Sequence, residues 1–92
     1  MSQDKYFLPD LSGKCVSINI MDNTASHDLN NPRFEYQGGR LFIIGTVPKG
    51  ATVSDWSADH ESAIAWDRVT DYFVFKDFED YSQAIKKSDE SE

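Results

Sequence analysis

The side chains best equipped for chemistry gather in one stretch, DWSADHESAIAWD, residues 55–67. It holds Asp55, Asp59, His60, Glu61 and Asp67 together with both tryptophans, Trp56 and Trp66. Carboxylate oxygens suit hard cations and imidazole suits transition metals, so the inventory is sufficient for a metal ion, with His27 and Asp28 able to join from another part of the chain. The spacing does not support it. There is no calcium-loop pattern and no HExxH pair, and the neighbours Asp59, His60 and Glu61 cannot easily turn toward one ion. The expected metal set is therefore none.

Acid–base catalysis would fall to His60 beside Asp55 or Asp59, because imidazole titrates near neutrality. Nothing in the sequence marks a nucleophile or an oxyanion donor set to work with it. Cys15 stands at the start of an apparent strand, where cysteine behaves as a small apolar residue more often than as a thiolate. Gly38-Gly39 and the PKGA run of residues 48–51 match neither a P-loop nor a dinucleotide fingerprint, and turn chemistry accounts for both. No catalytic residue and no cofactor are expected.

The same stretch reads better as a docking loop. Trp56 lies between Asp55 and Ser57, away from any apolar run, and aromatic side chains rimmed by charge supply interface area at low entropic cost. Asp55, Trp56, Asp59, His60 and Glu61 are the expected partner-binding residues. The bland alternative gives Trp56 the task of plugging one end of the fold.

These residues must be held by the elements around them. Val16, Ile18 and Ile20 alternate with Ser17 and Asn19, which predicts a half-buried strand over residues 15–21. Residues 22–32 are dense in Asn, Asp, Ser and Thr and predict a loop. Residues 33–47 predict a hairpin turning at Gly38-Gly39, and its return strand LFIIGTV, apolar on both sides, belongs inside a sheet. Gly45 within it suggests a bulge or a bend. A strand holding Ile64 and Trp66, an irregularity at Asp67-Arg68 and a second strand over YFVF follow. Trp66, Phe73, Phe75 and Phe78 are expected in the core. Phe78, Tyr81 and Ile85 then recur at helical spacing behind Asp77, a natural N-cap, with acidic residues in the first turn and lysines in the last.

This order predicts a mainly β (α+β) fold: a small antiparallel sheet or partly open barrel of about five strands with one C-terminal amphipathic helix. It resembles the small SH3-like barrels, a likeness of fold that specifies no function. The 92 residues suffice for one domain, expected over residues 1–87, with 88–92 as a disordered acidic tail.

Charge narrows the function classes. The net charge is −7, and residues 51–92 account for all of it, since the +2 balance of residues 33–50 cancels the −2 of residues 1–32. Such a surface repels phosphate backbones and anionic lipid, so neither direct nucleic-acid binding nor membrane binding is expected. A protein partner with a basic surface is favoured. The single cysteine, the lack of a signal-peptide pattern and the lack of a long apolar run lead to the expectation of a cytoplasmic protein. Three functions follow in order of preference: a non-catalytic binding or regulatory domain docking through residues 55–61; an acidic DNA-mimic inhibitor; and a small metal-binding or hydrolytic domain centred on His60. Edge-strand pairing through residues 33–37 or 15–21 would also permit a homodimer.

Overall fold

The computed structural model describes residues 8–52 and 54–90. Five strands form one antiparallel sheet: β1 (Cys15–Ile20), β2 (His27–Gln37), β3 (Arg40–Thr46), β4 (Glu61–Ala65) and β5 (Val69–Phe75), followed by helix α1 (Phe78–Glu90). Their spatial order is β4-β3-β2-β1-β5. The two ends of that order are consecutive in the chain, joined only by a 3₁₀ turn, Trp66–Arg68. Four strand spacings in a flat sheet span about 19 Å, whereas three 3₁₀ residues rise about 6 Å. The sheet must therefore curl until its two edges approach, which gives the open, SH3-like barrel expected from the sequence.

The alternating residues of β1 fill the inside of that curl. Val16, Ile18, Leu29, Ile43 and Ile64 form the buried cluster with Leu11, and Ile20, Phe34, Trp66, Val69 and Tyr72 pack against it. Each such side chain contributes about 1.5–3 kcal/mol when fully buried. Trp66 meets the Phe34 ring edge-on at 4.9 Å between centroids, so the 3₁₀ turn is fixed to the hairpin opposite it. Gly38 and Gly39 carry φ values of 61° and 83°, the two positive angles that a two-residue primed turn between Gln37 and Arg40 requires.

Several expectations need correction. Residues 27–32 are strand, not loop: Leu29 is fully buried opposite Val16, and β1 supplies the ladder that the polar neighbours were expected to disrupt. Residues 15–21 do not form an edge, because β1 lies between β2 and β5. Among the described residues, the second half of β2, residues 33–37, pairs only with β3. Phe73 is not in the core: it is 63% exposed on edge strand β5, and Phe78 is also exposed. Trp66 belongs to the 3₁₀ turn, not to a strand.

Gly45 marks a close approach, and the irregularity faces it on β2, where the register shifts between Asn30 and Arg33. There Asn31 takes φ 52°, a left-handed conformation that asparagine tolerates. A Cβ on Gly45 would stand 2.9 Å from Leu29 Cβ and 3.0 Å from the Asn30 carbonyl oxygen. Glycine lets the two strands close over the bulge.

Helix α1 is capped as its sequence predicts, with the Asp80 N–H donating to Asp77 Oδ1 at 2.8 Å and the Lys76 N–H donating to Asp80 Oδ2 at 3.0 Å. Tyr81, 2% exposed, docks the helix on the sheet and meets Phe75 edge-on at 5.5 Å. The helical backbone continues through Glu90, three residues beyond the basic turn at Lys86 and Lys87 and into the segment expected as a tail. Residues 91–92 lie outside the described residues.

Candidate functional site

The loop from β3 to β4 carries the residues singled out in the sequence, and backbone pairing fastens its base. Val47 N–H donates to the His60 carbonyl at 2.9 Å, and Asp59 N–H donates to the Val47 carbonyl at 2.9 Å. Asp55 and Asp59 adopt φ values of 55° and 69°, so the chain reverses at two acidic residues. The Asp55 carboxylate has a structural task within this loop: its Oδ1 accepts the Gly50 N–H at 2.8 Å and ties the outgoing turn to the returning chain.

Glu61 is also engaged. It begins β4 and accepts two donors of Arg33, at 2.9 and 3.4 Å, while Arg33 Nε donates to Glu35 at 2.7 Å. Ion pairing with Arg33 lowers the Glu61 pKa and raises that of Arg33. Both partners are half exposed, so the pair contributes little to stability. Arg40 is held in the same way by Asp67, at 2.9 Å.

Beside the loop lies a cleft of about 960 Å³. Its lining includes Thr52, Trp56 and His60 of the loop and His27 and Asp28 at the start of β2. Of the five expected partner-binding residues, Trp56, His60 and Glu61 line this cleft. Asp59 instead lines a smaller one, about 270 Å³, with Lys49 and Phe78. Trp56 is 77% exposed and does not plug the barrel.

Asp28 is held by a contact between elements far apart in sequence. The Tyr81 hydroxyl of α1 donates to Asp28 Oδ2 of β2. The other carboxylate oxygen, Asp28 Oδ1, is shielded from solvent and has no hydrogen-bond partner among the described residues, and the same holds for His27 Nε2 and Thr52 Oγ1. All three residues line the one cleft. Buried polar atoms are usually paired, so three orphans around a single cleft are an unusual concentration.

The titratable groups nearest Asp28 are held in their protonated forms. Burial, reinforced by the negative charge of Asp28, pushes the Cys15 thiol up to about 12, which leaves it protonated at neutral pH. Burial and the hydrogen bond to Asp28 likewise raise the Tyr81 hydroxyl. Among the described residues, no group of three or more His, Cys, Asp or Glu side chains is arranged to hold a metal ion, and no hydrogen bond joins His60 to a carboxylate. No described helix is long and apolar enough to cross a membrane.

Sequence reasoning reached His27 and Asp28 only as residues able to join the acidic stretch, and it missed Thr52 and the Tyr81 hydroxyl. The helical pattern did place Tyr81 on the buried face, and a tyrosine rather than a phenylalanine there was the one available signal, since a buried hydroxyl needs a partner. No protein-family model, no curated protein and no solved structure matches the chain.

Proposed function

We propose that this protein is a non-catalytic binding or regulatory domain that docks on the basic surface of a protein partner through the Trp56 loop and the cleft beside it. The observation that carries this reading is the 77% exposure of Trp56 at a cleft lined by Asp28 and His60. A large exposed indole in a loop with its own backbone bonds is costly to leave in water and well suited to act as an anchor. The net charge of −7 adds steering toward cationic surfaces, and both arginines of the hairpin are already committed to Glu35, Glu61 and Asp67.

The test is capture of the native partner by the wild type and by Trp56→Ala. The substitution is expected to change stability by less than about 0.5 kcal/mol, as for an exposed position, and to abolish capture of a protein with a basic surface. Unchanged capture, or a captured partner with an acidic surface, would overturn the reading. A captured DNA-binding protein that the domain displaces from duplex DNA would favour the DNA-mimic alternative.

A further inference from the structure

We infer that the free edge of β5 is a self-association surface, to which a second copy of this chain adds its own β5, antiparallel, about a two-fold axis at Phe73. The inference does not rest on the docking function proposed above, which uses a different loop. It starts from the backbone. The Asn31 N–H donates to the Lys14 carbonyl at 2.7 Å, so along the ladder between β1 and β2 the main-chain groups of Lys14, Val16 and Ile18 turn toward β2. Those of Cys15, Ser17 and Asn19 then turn toward β5, where they meet Phe75, Phe73 and Asp71. The same alternation leaves the N–H and C=O of Tyr72 and Val74 pointing out of the sheet, and no hydrogen bond among the described residues reaches them.

The side chains make this edge receptive. Phe73 is exposed on the outer face, and Val74, although it stands opposite buried Val16 on the inner face, is 46% exposed. Helix α1 leaves β5 in the other direction, since its Tyr81 hydroxyl reaches past β1 to Asp28 of β2. Edge strands are usually guarded by charge or by brevity. The unpaired stretch of β2 carries Arg33 and Glu35, and β4 has five residues beginning at Glu61. Residues 72–75 of β5, YFVF, carry no charge.

A second copy is the occupant because the strand complements itself in one register. Pairing Tyr72 with the partner's Val74, and Val74 with the partner's Tyr72, uses every one of these free main-chain groups on both copies. It sets Phe73 opposite the partner's Phe73 as a non-hydrogen-bonded pair, the closer kind, with Cα atoms about 4.5 Å apart, and each exposed ring is covered by its own copy. The neighbouring registers are poorer. An axis at Val74 places Asp71 against the partner's Asp77, and an axis at Tyr72 places Phe73 against the partner's Asp71. Charge favours the Phe73 axis as well: Arg68 is exposed and in no salt bridge among the described residues, and it comes alongside the acidic start of α1 in the other copy, Asp77 and Glu79.

The test is sedimentation equilibrium of the full chain at physiological ionic strength. An interface made by one strand edge is small, so monomer–dimer exchange is expected with a dissociation constant on the order of 10–100 μM. Phe73→Glu sets two like charges face to face and should raise that constant at least about tenfold. Tyr36→Glu makes the same change of charge at an exposed aromatic residue of the hairpin and should leave it unaltered. Oxidised glutathione should cross-link Phe73→Cys into a dimer and leave Val74→Cys uncross-linked, because only the first pair falls within disulfide reach; Cys15 is buried and does not compete. A chain that stays monomeric up to about 1 mM overturns the inference and leaves the edge to a strand of another protein. A dimer that survives Phe73→Glu, that Tyr36→Glu weakens equally, or that cross-links as readily through Val74→Cys overturns it too. If Phe73→Glu fails to fold, the wild type decides: exchange of the Tyr72 and Val74 amides should slow as chain concentration rises, and rates independent of concentration refute the ladder.

Discussion

Replacing Tyr81 with phenylalanine isolates the contact that ties α1 to Asp28 of β2. The ring is 2% exposed and packs against Phe75 and Phe78, and phenylalanine keeps all of that area. The only group removed is the hydroxyl that donates to Asp28 Oδ2. Because Oδ1 already lacks a partner, the substitution leaves the carboxylate without any hydrogen bond among the described residues. A hydrogen bond to a charged group contributes about 1.5–3 kcal/mol, and water entering from the cleft would hold the loss toward the lower end of that range. About 2 kcal/mol in a domain of this size lowers the melting temperature by about 8–16 °C. The assay is urea denaturation of Tyr81→Phe, Asp28→Asn and the double variant. In the Asp28→Asn background the acceptor is neutral, so the cost of Tyr81→Phe should fall to about 1 kcal/mol. A loss below about 0.5 kcal/mol for Tyr81→Phe alone, or the same cost in both backgrounds, would refute the account of Asp28 as a charged acceptor held by α1.

Other perturbations test the frame around the site. Gly45→Ala should destabilise by about 1–3 kcal/mol, because the new methyl group meets the Asn30 carbonyl and the Leu29 side chain across the bulge, as thermal melts would show. Asp77→Ala should cost about 1 kcal/mol by freeing the Asp80 N–H, with helical circular dichroism lost before the sheet melts. Stability should also fall in alkali. The Cys15 thiol titrates near 9.0 when unfolded and at about 12 when folded, so its contribution is complete below pH 9 and declines from there upward, by up to about 1.4 kcal/mol per pH unit. Tyr81, also raised, adds to the decline above pH 10, and Cys15→Ala should remove the part between pH 9 and 10 when denaturation is followed across that range.

The sequence made some of this architecture plain because local physics decided it. The hairpin depends on two glycines at positive φ, β1 on a strict alternation, and the start of α1 on a carboxylate at the N-cap. The start of β2 was hidden because Leu29 is its single apolar residue in a polar run; what makes it a strand is the ladder offered by β1. Phe73 was misplaced for a related reason. Aromatic content announces a strand but not which of its faces turns inward: Phe73 stands opposite Ser17, on the face away from the core to which Ile18 and Tyr72 belong. At the site, the acidic loop was legible as a loop. That Asp55 would build a turn and Glu61 would meet Arg33 was not, because those roles depend on partners set by the fold.

The distribution of paired and unpaired charge is what turns an acidic chain into one with a specific face. Arg33 and Arg40 are drawn off by Glu35, Glu61 and Asp67, all exposed to solvent, where the pairing contributes little to stability but offsets the positive charge of the hairpin. At Asp28 the converse holds: one carboxylate oxygen is shielded from solvent, the other accepts the Tyr81 hydroxyl, and no salt bridge among the described residues reaches either. Exposed charge is screened over about 8 Å at physiological salt, whereas a shielded carboxylate keeps its field. Under the proposed docking function, the diffuse charge of −7 would guide a basic partner toward the domain and the exposed indole of Trp56 would anchor it.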